Sequence, residues 1–324
     1  MKRENLFLTL VVISVLLSAI VLAGCTTPTT PPAGTATPTA TAPAAKEKLL
    51  LATTTSLYDT GLLDYLKPMF EKQYNVELLI TSQGTGKALE IAARGDADVL
   101  ATHSPSLEDA YMASGKGLNR RCFAYNYFII VGPDSDPAKI KGMDPVTAFT
   151  KIRELGMNNT PGVIFVSRGD GSGTHTKEKE IWKAAGFNYT TQIQNSGPWY
   201  IEAGRGMGET LQLTNEKDAY TISDEGTYLA YKGQLQLMTL IDQGDILLNV
   251  YSVISVYNEK FTPQEITMAN NFVDFMISNS TQTAIGVYGV DKYGKPLFTP
   301  MKGECSQFNC TCTGPATQMT PVPA

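Results

Sequence analysis

The residues best equipped for chemistry stand together in Ser167 to Thr176, SRGDGSGTHT. An apolar run, Gly162 to Val166, leads into them as a predicted buried strand, and Lys177 to Ala185 follows with helical spacing. A strand, a glycine-rich turn and a helix start in that order aim unpaired backbone N–H groups at one point, where the helix dipole also favours negative charge. Ser167, Ser172 and Thr174 add hydroxyl donors, and Arg168 adds a planar fork suited to oxyanions. The stretch reads as an anion cradle. The alternative is an N-cap in which Asp170 or Ser172 ends the helix and the glycines only make the turn.

Two more hydroxyl-rich helix starts lie upstream. Leu49 to Ala52 reads as a strand that delivers Thr53-Thr54-Thr55-Ser56 to a helical pattern over 62–74, with Ser56 or Asp59 as the capping alternative. Val76 to Thr81 is a second strand, and Ser82-Gln83-Gly84-Thr85-Gly86-Lys87 turns into a helix over 88–94. A nucleotide-binding P-loop fails here, because its first glycine would fall at Thr81 and the residue after Lys87 is Ala88. A third short strand, Asp98 to Ala101, ends in Thr102-His103-Ser104-Pro105. His103 and His175 are the only histidines, and His103 reads as a satisfied polar residue lining a cleft rather than a catalytic base or metal ligand.

The elements that must hold these turns follow from the apolar pattern. Phe123 to Val131 and Val250 to Tyr257 are two strong strands of similar length and aromatic character. Between them lies a self-contained α/β run: a helix around 146–155, the strand at Val163, the cradle and its helix, and a strand at Ala219. The last clear helix, Pro263 to Ser278, carries Ile266, Ala269, Phe272, Val273 and Met276 at core-facing spacing. The expected fold is α/β with two lobes, each an α/β sheet, and a hinge of two crossing segments. Lobe 1 takes residues 46–125 plus 258–300, lobe 2 takes 126–257, and a Cys-containing tail takes 301–324. Ligands in such sheets bind beyond the carboxyl ends of the strands, and all three hydroxyl-rich turns lie at such ends.

Composition bounds the class. With 324 residues, 43% hydrophobic, and a net charge of -5, the chain can bury a sizeable core and has no basic excess that would indicate nucleic acid. Lys2 and Arg3, the apolar run 6–22 and Leu22-Ala23-Gly24-Cys25 resemble a lipoprotein signal peptide over residues 1–25, rather than a permanent membrane anchor. On that resemblance Cys25 becomes the lipidated first residue, which tethers the protein to the extracellular face of the membrane. Residues 26–45, almost wholly Thr, Pro and Ala, cannot build a core and read as a stalk reaching about 60 Å if fully extended. Sequons at Asn158, Asn188, Asn279 and Asn309 fit an outside location but also arise often by chance. Cys122, Cys305, Cys310 and Cys312 favour disulfides over a metal site in an exported chain, with the pairing left open.

Taken together, the residues resemble the solute-binding proteins of ABC importers, the two-lobed, type II periplasmic-binding-protein-like class. Within it they are most similar to the tungstate-binding family. The resemblance rests on Thr53 to Ser56, Gly84-Thr85-Gly86, Gly95 to Leu100, Asn119-Arg120-Arg121, Tyr125-Asn126, Val131-Gly132-Pro133, Ser167 to Asp170, Ser172 to His175, Trp199-Tyr200, Gly206-Met207-Gly208 and Tyr220-Thr221, in shared order and spacing. It implies tungstate held between the lobes and handed to an ABC permease, with no cofactor, no metal bound as a cation and no chemistry on the ligand. It would place Thr54, Thr55, Ser56 and Thr85 on the ligand from lobe 1, and Ser167, Arg168, Ser172, Gly173, Thr174 and Thr221 from lobe 2. Asp170 orients Arg168. The chain would act as a monomer.

The cradle is also similar to the Arg-x-Asp-x-Ser-Gly-Thr stretch of phosphate-binding relatives, so phosphate and molybdate are the alternative ligands. A phosphate site benefits from a carboxylate that accepts the anion's proton, and Ala101 to Pro105 offers none, whereas a proton-free dianion needs donors only. Two further classes are weaker. A hydrolase elbow centred on Ser172 would need glycines at Asp170 and Thr174. A structural surface lipoprotein would leave three hydroxyl-rich helix starts unexplained.

Overall fold

The computed structural model describes residues 46–308 and 310–321. The signal-peptide segment, Cys25, the stalk and Asn309 lie outside the described residues. In chain order the elements are β1 (Glu47–Thr54), α1 (Thr55–Asp59), α2 (Leu62–Tyr74), β2 (Val76–Gln83), α3 (Thr85–Ala93), β3 (Val99–Thr102), α4 (Pro105–Ala113) and β4 (Gly117–Gly132). Then come α5 (Pro145–Met157), β5 (Phe165–Ser167), α6 (Gly173–Ala184), β6 (Tyr200–Glu202), α7 (Met207–Glu216), β7 (Thr221–Asp224), α8 (Glu225–Tyr231) and β8 (Met238–Ile241). The chain finishes with β9 (Leu248–Val256), α9 (Pro263–Ile277), α10 (Asn279–Val287), α11 (Val290–Tyr293) and β10 (Thr299–Pro300).

β4 organises the molecule because its 16 residues run through both sheets. Its first half pairs antiparallel with β9 in a sheet ordered β10-β4-β9-β3-β1-β2, while its second half pairs with β7 on one side and β8 on the other. β5 continues the second sheet, since Val166 N donates to Tyr220 O at 2.8 Å and Tyr220 N to Ile164 O at 2.8 Å, and β6 pairs parallel with β5. The two crossing segments are therefore neighbouring strands of one ladder, from Gly117↔Val256 to Tyr127↔Leu248.

Each sheet is buried on both faces, as parallel-rich sheets require. In lobe 1, Leu49, Leu51 and Val253 face α2, α9 and α10, whereas Ala52, Leu100 and Ile254 face α3 and α4. In lobe 2, Phe128, Ile130 and Ile222 pack with Phe149, Phe165 and Trp182, and Ile129 and Val131 with Met207, Leu211 and Tyr228. α9 starts where its local chemistry says it should: Thr262 and Glu265 form a capping box and Pro263 takes the first turn.

Two expectations shift. The strand foreseen at Gly162 to Val166 forms only over β5, because the turn closed by Val163 N to Thr160 O uses Gly162 at φ +79°. The tail's described part folds back on lobe 1. Cys122 bonds Cys310 and Cys305 bonds Cys312, Arg121 donates to the carbonyls of Gly314 and Pro315, and Asn119 and Asn270 both donate to Gln318 O. Among the described residues no helix is long and apolar enough to cross a membrane.

Candidate oxyanion site between the lobes

Three helix N-termini converge where the lobes touch. Thr54, extended at φ -89°, caps α1 by accepting from Leu57 N at 3.1 Å, so Thr55 and Ser56 occupy the first turn. α3 begins at Gly84, which has no side chain to cap it. A Cβ there would stand 3.2 Å from Asp170 Oδ2 of the other lobe. α6 is capped by Ser172, whose Oγ accepts from His175 N at 3.2 Å. Gly169 and Gly171, at φ +62° and +71°, make the turn that brings Asp170 Oδ1 onto Ser172 N at 3.1 Å. The capping alternative is thus realised, and it leaves the cradle intact.

Arg168 ties the lobes together. It is 1% exposed, and its guanidinium donates to Ser56 Oγ and Thr55 Oγ1 at 3.0 Å each and pairs with Asp170 Oδ2 at 2.5 Å. Gly173 N donates to Thr85 Oγ1 at 3.1 Å, and Thr227 Oγ1 to Ser56 O at 3.0 Å, adding two more contacts across the boundary. Arg168 Nε and Thr174 Oγ1 are buried with no hydrogen-bond partner among the described residues. Buried donors left open at a convergence of helix N-termini suit an anion with several acceptor oxygens.

Proton bookkeeping divides the expected ligand residues. Thr54, Thr55, Thr85 and Ser172 each accept an N–H and, among the described residues, keep their own hydroxyl proton to donate. Ser56 Oγ accepts from Arg168 and likewise keeps its proton among the described residues. Ser167 and Thr221 differ in where their hydroxyls donate. Ser167 Oγ donates to Glu178 Oε2 at 2.5 Å and accepts Gly169 N, while Thr221 Oγ1 donates to Val166 O at 2.6 Å. Each has turned its proton into the lobe 2 framework, Ser167 toward Glu178 of α6 and Thr221 toward a carbonyl of the neighbouring strand β5.

The comparisons with known proteins come down on one family. A sequence model of the PBP superfamily domain matches residues 29–280. The tungstate-binding protein TupA of Peptoclostridium acidaminophilum is 41% identical over 293 residues, covering 90% of this chain and 96% of that one. The chain belongs to the TupA family of the PBP superfamily. Among solved structures, the tungstate-binding protein TupA from Desulfovibrio alaskensis G20 matches at 39% identity and TM-score 0.62, over 78% of this chain and 98% of that one. A tungstate ABC transporter structure from Geobacter sulfurreducens matches at 40% identity and TM-score 0.65, over 75% and 99%. The two-lobed solute-binding architecture is that of the TupA family.

Two buried groups of this TupA-family site escaped the sequence, and a third, His103, lines the cleft as expected but with its Nε2 unpartnered among the described residues rather than satisfied. Asp224, at the end of β7, caps α8 through Thr227 N at 2.8 Å; burial raises its pKa to about 6 despite hydrogen bonds from Thr227 and the charge of nearby Arg168. Glu178, behind Ser167, receives Tyr200 OH at 2.6 Å and Trp182 Nε1 at 3.0 Å, and burial pushes its carboxyl up to about 7. The pKa of His103 is lowered to about 4, chiefly by burial. The signal available for Asp224 was its Asp-x-x-Thr capping pattern; Glu178 carried none, since one carboxylate in a lysine-rich helix reads as solvated.

His175 and Ser172 do not make a nucleophile and base. His175 Nδ1 accepts from Gly171 N and Nε2 pairs with Tyr189 OH. Among the described residues no three His, Cys, Asp or Glu side chains gather as for a metal cation. A cavity of about 1020 Å³ lined by Tyr65, Tyr231, Tyr288 and Tyr293 lies elsewhere and contains none of the donors above.

The closed geometry has a steric test. A Cβ on Gly173 would stand 3.1 Å from His103 O and 3.2 Å from Thr85 Oγ1, both across the boundary. Gly173→Val therefore weakens oxyanion binding by about five- to 150-fold, as overpacking by about one to three kcal/mol implies, while the apo thermal midpoint changes little. Calorimetry with a thermal scan of the apo form checks both, and unaltered affinity would mean that the lobes do not close on this residue.

Proposed function

We propose that the chain binds tungstate outside the membrane and delivers it to an ABC permease, without acting on the ion as an enzyme. The observation that carries this is Arg168, buried between the lobes and bonded to both, with its Nε and the neighbouring Thr174 Oγ1 open for further acceptors. A buried dianion must exchange its hydration shell for well-aimed donors. Thr54, Thr55, Ser56 and Thr85 on one side and Arg168, Ser172, Gly173 and Thr174 on the other form such a set, with Asp170 orienting the guanidinium.

The ion would itself bridge lobe 1 (46–125 plus 258–300) and lobe 2 (126–257), favouring the closed form by its differential affinity. The names of the relatives support tungstate as the ion. Molybdate, of the same charge and closely similar shape, is the alternative from the same donors. The protein works as a monomer, held to the extracellular face by a lipid on Cys25 and by the stalk.

Titration calorimetry of residues 46–324 with tungstate, molybdate, sulfate and phosphate tests the reading. Tungstate is expected to bind tightly at about one ion per chain, with sulfate and phosphate far weaker. Tight phosphate binding with no heat from tungstate would overturn it.

A further inference from the structure

The stretch after β3 offers no carboxylate, yet the structure puts an unused polar atom there. His103 is 2% exposed, stacks on the rings of Tyr251 (4.9 Å, interplanar 16°) and Phe128 (5.9 Å, 27°), and its Nε2 has no hydrogen-bond partner among the described residues. A Cβ on Gly173 would lie 3.3 Å from its Cε1, the carbon between Nδ1 and Nε2, and 3.2 Å from Thr85 Oγ1. The imidazole edge therefore meets the N-termini of α3 and α6, where the oxyanion donors converge.

Hydrogen-bond logic fixes which ring nitrogen carries the proton. Leu297 O can only accept, so Asn126 presents its Nδ2 there at 3.4 Å and its Oδ1 elsewhere. That Oδ1 accepts from Asn249 Nδ2 at 2.8 Å, which turns Asn249 Oδ1 toward His103 Nδ1 at 2.9 Å. Nδ1 is consequently the donor, and in the neutral ring Nε2 is a bare lone pair. A lone pair facing an anion that has only acceptor oxygens is repulsive unless a proton sits between them.

We propose that His103 is an oxyanion-site residue, and that the dianion enters together with one proton, taken from solvent and held on His103 Nε2, which then donates to the ion. This rests on the oxyanion reading above. The groups around the ring are Thr85 from α3, Asn126 and Phe128 from β4, Arg168 from the β5–α6 turn, Lys177 from α6, and Asn249 and Tyr251 from β9. Arg168 and Lys177 are positive and, with burial, keep the ring neutral when no ion is present. Glu108, five residues on, is paired with Arg120 at 2.7 Å. A dianion reverses the local field, so the ring's pKa rises from about 4 in the free protein. Between the free and bound values, affinity falls as pH rises, because the complex holds one more proton than its parts.

The test is calorimetry of sodium tungstate binding to residues 46–324 in buffers of different ionisation enthalpy, from pH 6 to pH 8. Expected are uptake of about one proton per ion and an affinity that drops by about tenfold per pH unit where uptake is complete. His103→Gln should weaken binding at pH 6 and abolish both the uptake and the slope, with an apo thermal scan to verify folding. Tungstate binding with no proton exchange in the wild type overturns the inference and leaves the oxyanion reading standing. Uptake that survives in His103→Gln but disappears in Glu178→Gln or Asp224→Asn also overturns it, by assigning the proton to a carboxyl. Failure of the wild type to bind tungstate at all removes the oxyanion reading on which the inference depends.

Discussion

Arg168→Ala is expected to weaken tungstate binding by about 10² to nearly 10⁴-fold, since leaving one partner of a buried charged contact without the other costs about 3–5 kcal/mol and about 1.4 kcal/mol is a tenfold change. The loss has two parts. The guanidinium is the charged donor of the site, and it also holds Thr55 and Ser56 of lobe 1 against the turn of lobe 2 at 3.0 Å. Arg168→Lys should fall between the two, because an ammonium keeps the charge but cannot hold two hydroxyls and Asp170 in one plane. The apo thermal midpoint should move much less than the binding, as Asp170 retains Ser172 N through Oδ1. Parallel calorimetry and thermal scans decide the matter. A large fall in apo stability with near-normal affinity would make Arg168 a framework residue and return the turn to a simple cap.

The second large effect concerns stability. The Cys122–Cys310 bond spans a sequence separation of 188 residues and ties the tail to β4, the strand shared by both sheets. In the chain-entropy account a loop of that length is worth about 5 kcal/mol, against about 2 kcal/mol for the separation of 7 closed by Cys305–Cys312. Replacing Cys122 and Cys310 together by Ser should lower the urea midpoint markedly and open the chain after Gly303 to proteases. Replacing Cys305 and Cys312 should do less on both counts. Tungstate affinity should be unchanged in either pair, because neither disulfide touches the residues around Arg168. Equal midpoints for the two double variants would show that the tail detaches before the core unfolds and contributes no cross-link to it.

Much of the architecture was legible because its cause is local. α2 and α9 follow from apolar spacing, and α9 also from its capping box, within a dozen positions, whereas α2 starts at Gly61 with no side-chain cap rather than at Ser56 or Asp59; the strands at Phe123 and Val250 follow from continuous apolar runs. The three helix starts at Thr54, Gly84 and Ser172 were recognisable for the same reason, since a strand end, a glycine and a hydroxyl are neighbours in sequence. α7 and α8 were not, because polar residues such as Glu209, Gln212 and Glu225 dilute their apolar stripes, and their burial comes from β4 and α1.

What the sequence by itself determined was the kind of site: hydroxyls, backbone N–H groups and one arginine at strand ends, the donors that an oxyanion requires. Only the tertiary structure decided which of those groups still have a proton to give. Ser167 spends its own on Glu178 and Thr221 on Val166, whereas Thr85 accepts from Gly173, 88 residues away, and keeps its proton. The lone pair of His103 was equally hidden, since it follows from an amide relay that begins at Leu297 O and passes through Asn126 and Asn249. The physical reason is that residue types fix how many hydrogen bonds a group can make, but the partner that claims each one is brought in from a distant part of the chain.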